Sequence, residues 1–150
     1  MKIDSLDSVT IALVGAPVGK GRPRVSAWRG KVHVRTPEAT RVYEEAFRLT
    51  AFGQMRGRNP FAVPVEVLAR FVFAPPASWS EKKRSAAIAG DIPHAIKPDI
   101  DNLQKSVLDA LNRIVFADDA LVVKIFAEKR YGQASLAVVT VRPLAPEELV

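Results

Sequence analysis

The segment KPDIDNLQK, residues 97–105, sets two carboxylates, Asp99 and Asp101, two positions apart between Lys97 and Lys105. One acid at the start of a helix has a plain structural use. Its oxygen caps a free N–H and its charge suits the positive end of the helix dipole, together worth about 1–2 kcal/mol. Asp101 with Gln104 three positions on fits that use as a capping box. A second acid needs another reason. Two carboxylates ~4 Å apart repel by roughly 4 kcal/mol at an effective dielectric of about 20, so a cation must accompany them. Lys97 and Lys105 can supply it, and so can Mg²⁺, which favours hard carboxylate oxygens and keeps several of its waters.

Helical spacing puts Asp101 and Lys105 one turn apart on one face, opposite an apolar stripe of Leu103, Val107, Ala110, Leu111 and Ile114, and Asp109 continues the polar line. The next acids, Asp118 and Asp119, follow a helix of about 12 residues, ~18 Å long, and a short return segment. If IVFADD is extended it spans about 17–20 Å and brings Asp119 back to the helix start, closing a three-carboxylate cluster within one subunit. If it is not extended, the cluster has to be completed across a dimer interface. A cation held by such a cluster neutralises charge on an anionic group and lowers the pKa of a bound water, with the Lys105 ammonium beside it.

The elements that must position these groups are legible from periodicity. VTIALVG (9–15) is an apolar, β-branched run ending in glycine and predicts a buried strand. Arg29-Gly30 between VSAW and KVHV predicts a hairpin. Thr36-Pro37 predicts a helix start, with Thr at the cap and Pro at the first position. Ala39, Val42, Ala46 and Leu49, widened by Tyr43 and Phe47, form its apolar stripe, and its end falls near Gly53. VEVLARFVF (65–73) alternates as a strand and stops at Pro75-Pro76. Ser78 with Glu81 predicts a capping box for a short basic helix closed by Gly90. The second main helix starts around Asp101. LVVKIFAEKRY and SLAVVTVRP read as two strands joined by a tight turn at Gly132, and LAPEELV as a tail that is loose or docked on the surface. The expected fold is α+β, a single domain over residues 1–150 with a mixed β-sheet packed against two main helices plus one short helix.

Composition sets outer bounds. At 150 residues, 48% hydrophobic and 25% charged, the chain has the makeup of one soluble globular domain. With no cysteine it has no disulfide, thiolate nucleophile or Cys-based zinc site. No apolar run reaches the ~20 residues of a membrane span, and MKIDSLDSVTIALVG carries acids where a signal peptide has bases, so a cytoplasmic location is expected. The net charge of +6 points to a polyanionic partner. Lys20, Arg22 and Arg24 in the glycine-rich loop, and Lys129 and Arg130 at a strand end, are candidate phosphate contacts, the plain alternative being solvated charge. GAPVGKGR is one residue short of the P-loop spacing, with Gly21 where a Mg²⁺-binding Ser or Thr belongs, so no nucleotide cofactor is expected. His33 and His94 have no partner at metal-ligand spacing and read as structural or exposed. Trp28 and Trp79 read as packing residues before base-stacking ones.

KPDIDNLQKSVLDAL followed by FADDALVVKIFAEKRYG resembles the RusA family of Holliday junction resolvases, especially its phage-type members. There a K-P-D-x-D-N segment opens a helix and a D-D-x-x-V strand follows. GKGRPRV and VRTPEATRVYEEAFR are similar to that family's N-terminal half, so the resemblance spans about residues 10–142. It implies a homodimeric endonuclease, dependent on Mg²⁺ with Mn²⁺ able to substitute, that nicks four-way or branched DNA in recombination and repair. Matched by motif, Asp99, Asp101 and Asp119 are its metal-binding and catalytic carboxylates and Lys105 its essential helix lysine. Asp118 and Asn102 take supporting roles, and Lys97 joins the DNA contacts. HAI before Lys97 departs from the more basic residues of many relatives. The rival reading is a non-catalytic, basic DNA-binding recombination accessory protein whose acids only cap a helix. A phosphohydrolase acting on small esters is a third, disfavoured by the extent of the basic surface.

Overall fold

The computed structural model describes residues 7–150; the reading of the extreme N-terminus falls partly on residues 1–6, outside them. VEVLARFVF becomes strand β4 (Val65–Phe73), with Val65, Val67, Ala69, Phe71 and Phe73 buried as the alternation requires. It is the hub of a four-stranded sheet, numbering strands and helices in chain order, with order β1-β6-β4-β5. β1 (Val9–Val14) pairs antiparallel with β6 (Leu136–Pro143), which pairs antiparallel with β4. β5 (Val122–Tyr131) lies parallel to β4 on the other side. A parallel neighbour needs a long crossover, and α2 (Glu81–Ile88) and α3 (Ile100–Leu111) occupy it. The described residues form one α+β domain with three α-helices, the mixed sheet and a separate hairpin of β2 (Arg24–Trp28) and β3 (Lys31–Arg35).

The core lies between one sheet face and α1 (Glu38–Met55) with α3. Leu103, Val107, Ala110 and Leu111 of α3 are buried as the stripe predicts, beside Phe47, Phe71 and Phe116. On α1 the predicted stripe is partly wrong. Thr40, Tyr43, Phe47, Ala51 and Met55 face inward, whereas Val42 and Leu49 face solvent at 58% and 64% exposure. The wide apolar arc of this helix fits more than one rotation, and the two large rings decide it.

Other boundaries shift for local reasons. Pro37 itself is the α1 cap residue, with extended backbone, and the helix runs past Gly53 to a left-handed Arg56 whose N–H donates to the Gly53 carbonyl at 3.3 Å. Ser80, not Ser78, caps α2, accepting from the Lys83 N–H at 3.2 Å. β5 and β6 are not a hairpin, because β4 lies between them. The turn after Tyr131 passes over the end of β4, where the Gly132 N–H donates to the Phe73 carbonyl at 3.0 Å and a Cβ at 132 would collide with Val72. The tail is docked. Leu144 and Ala145 are buried, and Arg142 holds Glu66 at 2.9 Å and Glu148 at 2.7 Å. No helix is long and apolar enough to cross a membrane among the described residues.

Candidate active site

Asp99 is the N-cap residue of α3, with extended backbone (φ −70°, ψ 145°), yet its side chain makes no capping hydrogen bond. The carboxylate is therefore free of the duty that would otherwise explain it. Among the described residues it pairs with Lys97 alone, at 3.3 Å, on an exposed surface where such a pair contributes little. Asp101 lies in the first turn and accepts from the Asn102 N–H at 2.9 Å, so the Asp101–Gln104 capping box does not form. Lys105 is exposed one turn further on and has no ion pair among the described residues.

Three fastenings fix this helix start. Lys129, from β5, donates to the carbonyls of Ile96 (2.7 Å) and Pro98 (3.0 Å), across a Lys97–Pro98 bond that is cis. His94 is buried and stacks on Phe73 with ring centroids 4.1 Å apart, against Tyr131 at 4.9 Å. Burial, and then the Lys129 charge, hold its imidazole below the usual histidine pKa. The glycine-rich loop closes the third side. The Lys20 N–H donates to the Asn102 carbonyl at 2.9 Å, and a Cβ on Gly19 would stand 3.2 Å from the Asn102 Cβ and 3.3 Å from the Pro98 Cβ. Gly21 lies so close to Pro37 that a Cβ would meet its Cγ at 2.7 Å, while its N–H donates to Thr40 Oγ1 at 3.1 Å. Both glycines serve close approach of backbone to neighbouring elements rather than phosphate binding.

The structure distributes the predicted DNA contacts unevenly. Lys20 turns inward, its ammonium held by Glu44 at 2.7 Å and Asp109 at 3.0 Å. Burial pulls its pKa down, but the hydrogen bonds to the two carboxylates outweigh it and the net shift is upward. Lys129 has two of its donors on carbonyls, and Lys97 faces Asp99. Arg22, Arg24 and Arg130 are exposed and free of ion pairs among the described residues.

Asp118 caps the single turn Asp119–Leu121, accepting from the Ala120 N–H at 2.8 Å. That bond, then the Asp119 side chain and Arg113, hold its carboxyl below the ordinary aspartate pKa. The return segment before it is not extended. It folds back on itself, with the Arg113 N–H on the Phe116 carbonyl at 2.8 Å and Arg113 in the left-handed region (φ 67°). Lys129, late in β5, touches the loop at the head of α3, whereas Asp118 and Asp119 precede the beginning of β5. The strand between Val122 and Lys129 covers roughly 23 Å at ~3.3 Å per residue. Asp119 thus lies toward the other end of α3, and the closure within one subunit that an extended return segment allows is not formed among the described residues. Among the described residues no group of three or more His, Asp or Glu side chains is gathered to hold a metal ion. The donor chemistry itself suits Mg²⁺: every candidate ligand is a carboxylate oxygen on the surface.

The basic α+β domain thus presents exposed acids at a braced helix start and a second acidic pair at the head of a sheet strand. Residues 15–142 match the family model described as Endodeoxyribonuclease RusA, and the chain belongs to the RusA family. It is also similar to the "Uncharacterized protein YqaN" of Bacillus subtilis (strain 168), 33% identical over 142 residues that cover 93% of this chain and 99% of that one. Endonuclease action on DNA is the activity that this membership carries.

Proposed function

We propose that the protein is a Mg²⁺-dependent homodimeric resolvase that opens four-way or branched DNA by paired hydrolysis of two phosphodiester bonds, with Mn²⁺ able to replace Mg²⁺. Each site would combine Asp99, Asp101 and Lys105 of one protomer with Asp119 of its partner, assisted by Asn102 and Asp118. One observation carries the reading: Asp99 stands at a rigidly braced helix start with its carboxylate free of capping, while Asp119, its expected co-ligand, lies at the far end of the same helix. A two-fold assembly brings opposite ends of α3 together and produces two equal sites for two symmetry-related strands. The bound metal would supply charge neutralisation and an activated water. The side chains hold it, and Lys105 is placed one turn away to meet charge on the scissile phosphate.

The deciding measurement is Mg²⁺-dependent nicking of a synthetic four-way junction against linear duplex, paired with a gel shift. Asp99→Asn and Asp119→Asn each lose cleavage by about 10²–10³-fold, as expected where electrostatic stabilisation dominates. Both bind the junction as tightly as the parent or more so, since anionic repulsion falls. Full cleavage by either variant would remove the assignment. The accessory-protein alternative predicts salt-sensitive binding with no product, and membership of an endodeoxyribonuclease family argues against it.

A further inference from the structure

The β2–β3 hairpin stands apart from the domain. All ten of its strand residues are exposed, and among the described residues its strands pair only with each other. An isolated two-stranded sheet is marginal in water, so a surface this open calls for something to cover it. Register separates its two faces. Arg24 pairs with Arg35, Ser26 with His33 and Trp28 with Lys31 on one face, and Val25 with Val34 and Ala27 with Val32 on the other. The Arg29 guanidinium, in the turn, lies 4.6 Å from the Trp28 ring centre. The sequence has no Asp or Glu from Ser8 to Pro37, and Arg24, Arg29, Lys31 and Arg35 have no ion pair among the described residues.

We propose that the hairpin is a DNA-contact arm, with Arg24, Lys31 and Arg35 along the phosphate backbone and Trp28, backed by Arg29, stacked on an unpaired base of branched DNA. This rests on the resolvase reading and adds to it the surface that recognises the branch. Charge decides the partner. Two hairpins from two copies meeting on this face would set like charges together, whereas a phosphate chain neutralises them with release of counterions. A two-stranded ribbon fits the major groove of duplex DNA, and an exposed tryptophan beside an arginine is the platform on which unstacked bases rest. Because every side chain involved is exposed and outside the core, substitution disturbs no core packing.

The test uses the full chain carrying Trp79→Phe, which leaves Trp28 as the single tryptophan. A four-way junction is added in EDTA, so that no cleavage intervenes. Trp28 emission is quenched on binding, and Trp28→Ala weakens junction affinity on the order of tenfold while Trp28→Phe keeps most of it. Arg24→Ala with Lys31→Ala and Arg35→Ala lowers the slope of log affinity against log salt by about three, and Arg24→Lys with Arg35→Lys preserves it. Emission that ignores DNA, with the triple variant binding and cutting like the parent, overturns the arm and leaves the nuclease intact. Emission that shifts with protein concentration but not with DNA overturns it too and assigns the hairpin to contact between copies. A parent chain that neither binds nor nicks a junction ends both readings.

Discussion

Lys20 shows how a residue's chemistry can be read correctly and its use misjudged. A lysine in a basic, glycine-rich loop looks like a phosphate contact, but Glu44 of α1 and Asp109 of α3 converge on it. Nothing in the linear sequence announces that convergence, because the two acids are distant from Lys20 and from each other. Lys20→Met is expected to reduce unfolding free energy by about 1–2 kcal/mol in urea titrations, since it leaves two carboxylates facing one another without a cation. The salt dependence of DNA binding should not change. His94 was legible as structural because no second ligand lies at metal spacing, but its partners, Phe73 and Tyr131, meet it only through the fold. Its folded-state pKa lies below the unfolded value of about 6.5, so the unfolded chain takes up the proton first as pH falls. Stability from this group is complete above about pH 6.5 and declines as pH drops toward the folded pKa. His94→Phe keeps the stack and removes the proton; its thermal midpoint should fall less than the parent's between about pH 6.5 and 5.

At the level of elements, strong periodicity was readable and placement was not. β4, the buried face of α3 and the Arg29-Gly30 turn, both residues at positive φ, follow from pattern and turn chemistry. The β5–β6 pairing did not, because a short glycine turn between two strands looks the same whether they are neighbours or flank a third. The fold of Asn112–Ala117 was equally hidden: six mostly apolar residues suit an extended link and a tight turn alike. The second carboxylate motif could be found by residue type, but its distance from the first depended on that link. Gly21 links this scale to the site, since its lack of a Cβ lets the loop pass under Pro37 and rest on the head of α3. Gly21→Ala is expected to cost about 1–3 kcal/mol by overpacking against a rigid ring, measured by urea midpoint. Nicking should fall with it if the loop braces Asp99.

At the scale of the whole molecule, no helix of the described residues covers the second face of the sheet. Leu68 (42% exposed) and Phe126 (60%) stand there beside an Arg70–Glu128 ion pair, and Val138 and Thr140 complete the surface. This face is open to solvent and leaves room for the second copy that the proposed composite site requires. The proposed composite site has a sharp consequence for mixed preparations. Asp99→Asn and Asp119→Asn proteins, each inactive, should regain roughly a quarter of parental sites when unfolded and refolded together. About half the dimers are then mixed, and each mixed dimer keeps one intact site of two. Sites contained within single protomers would regain nothing.

The placement of β6 between β1 and β4 bears on how the chain is made. A ribosome releases β1 first and β6 last among the strands, so the opening strand waits through nearly the entire synthesis for its hydrogen-bonding neighbour. A message cut short before residue 136 would therefore yield a polypeptide whose β1 has no strand to join, and a β4 edge open to aggregation.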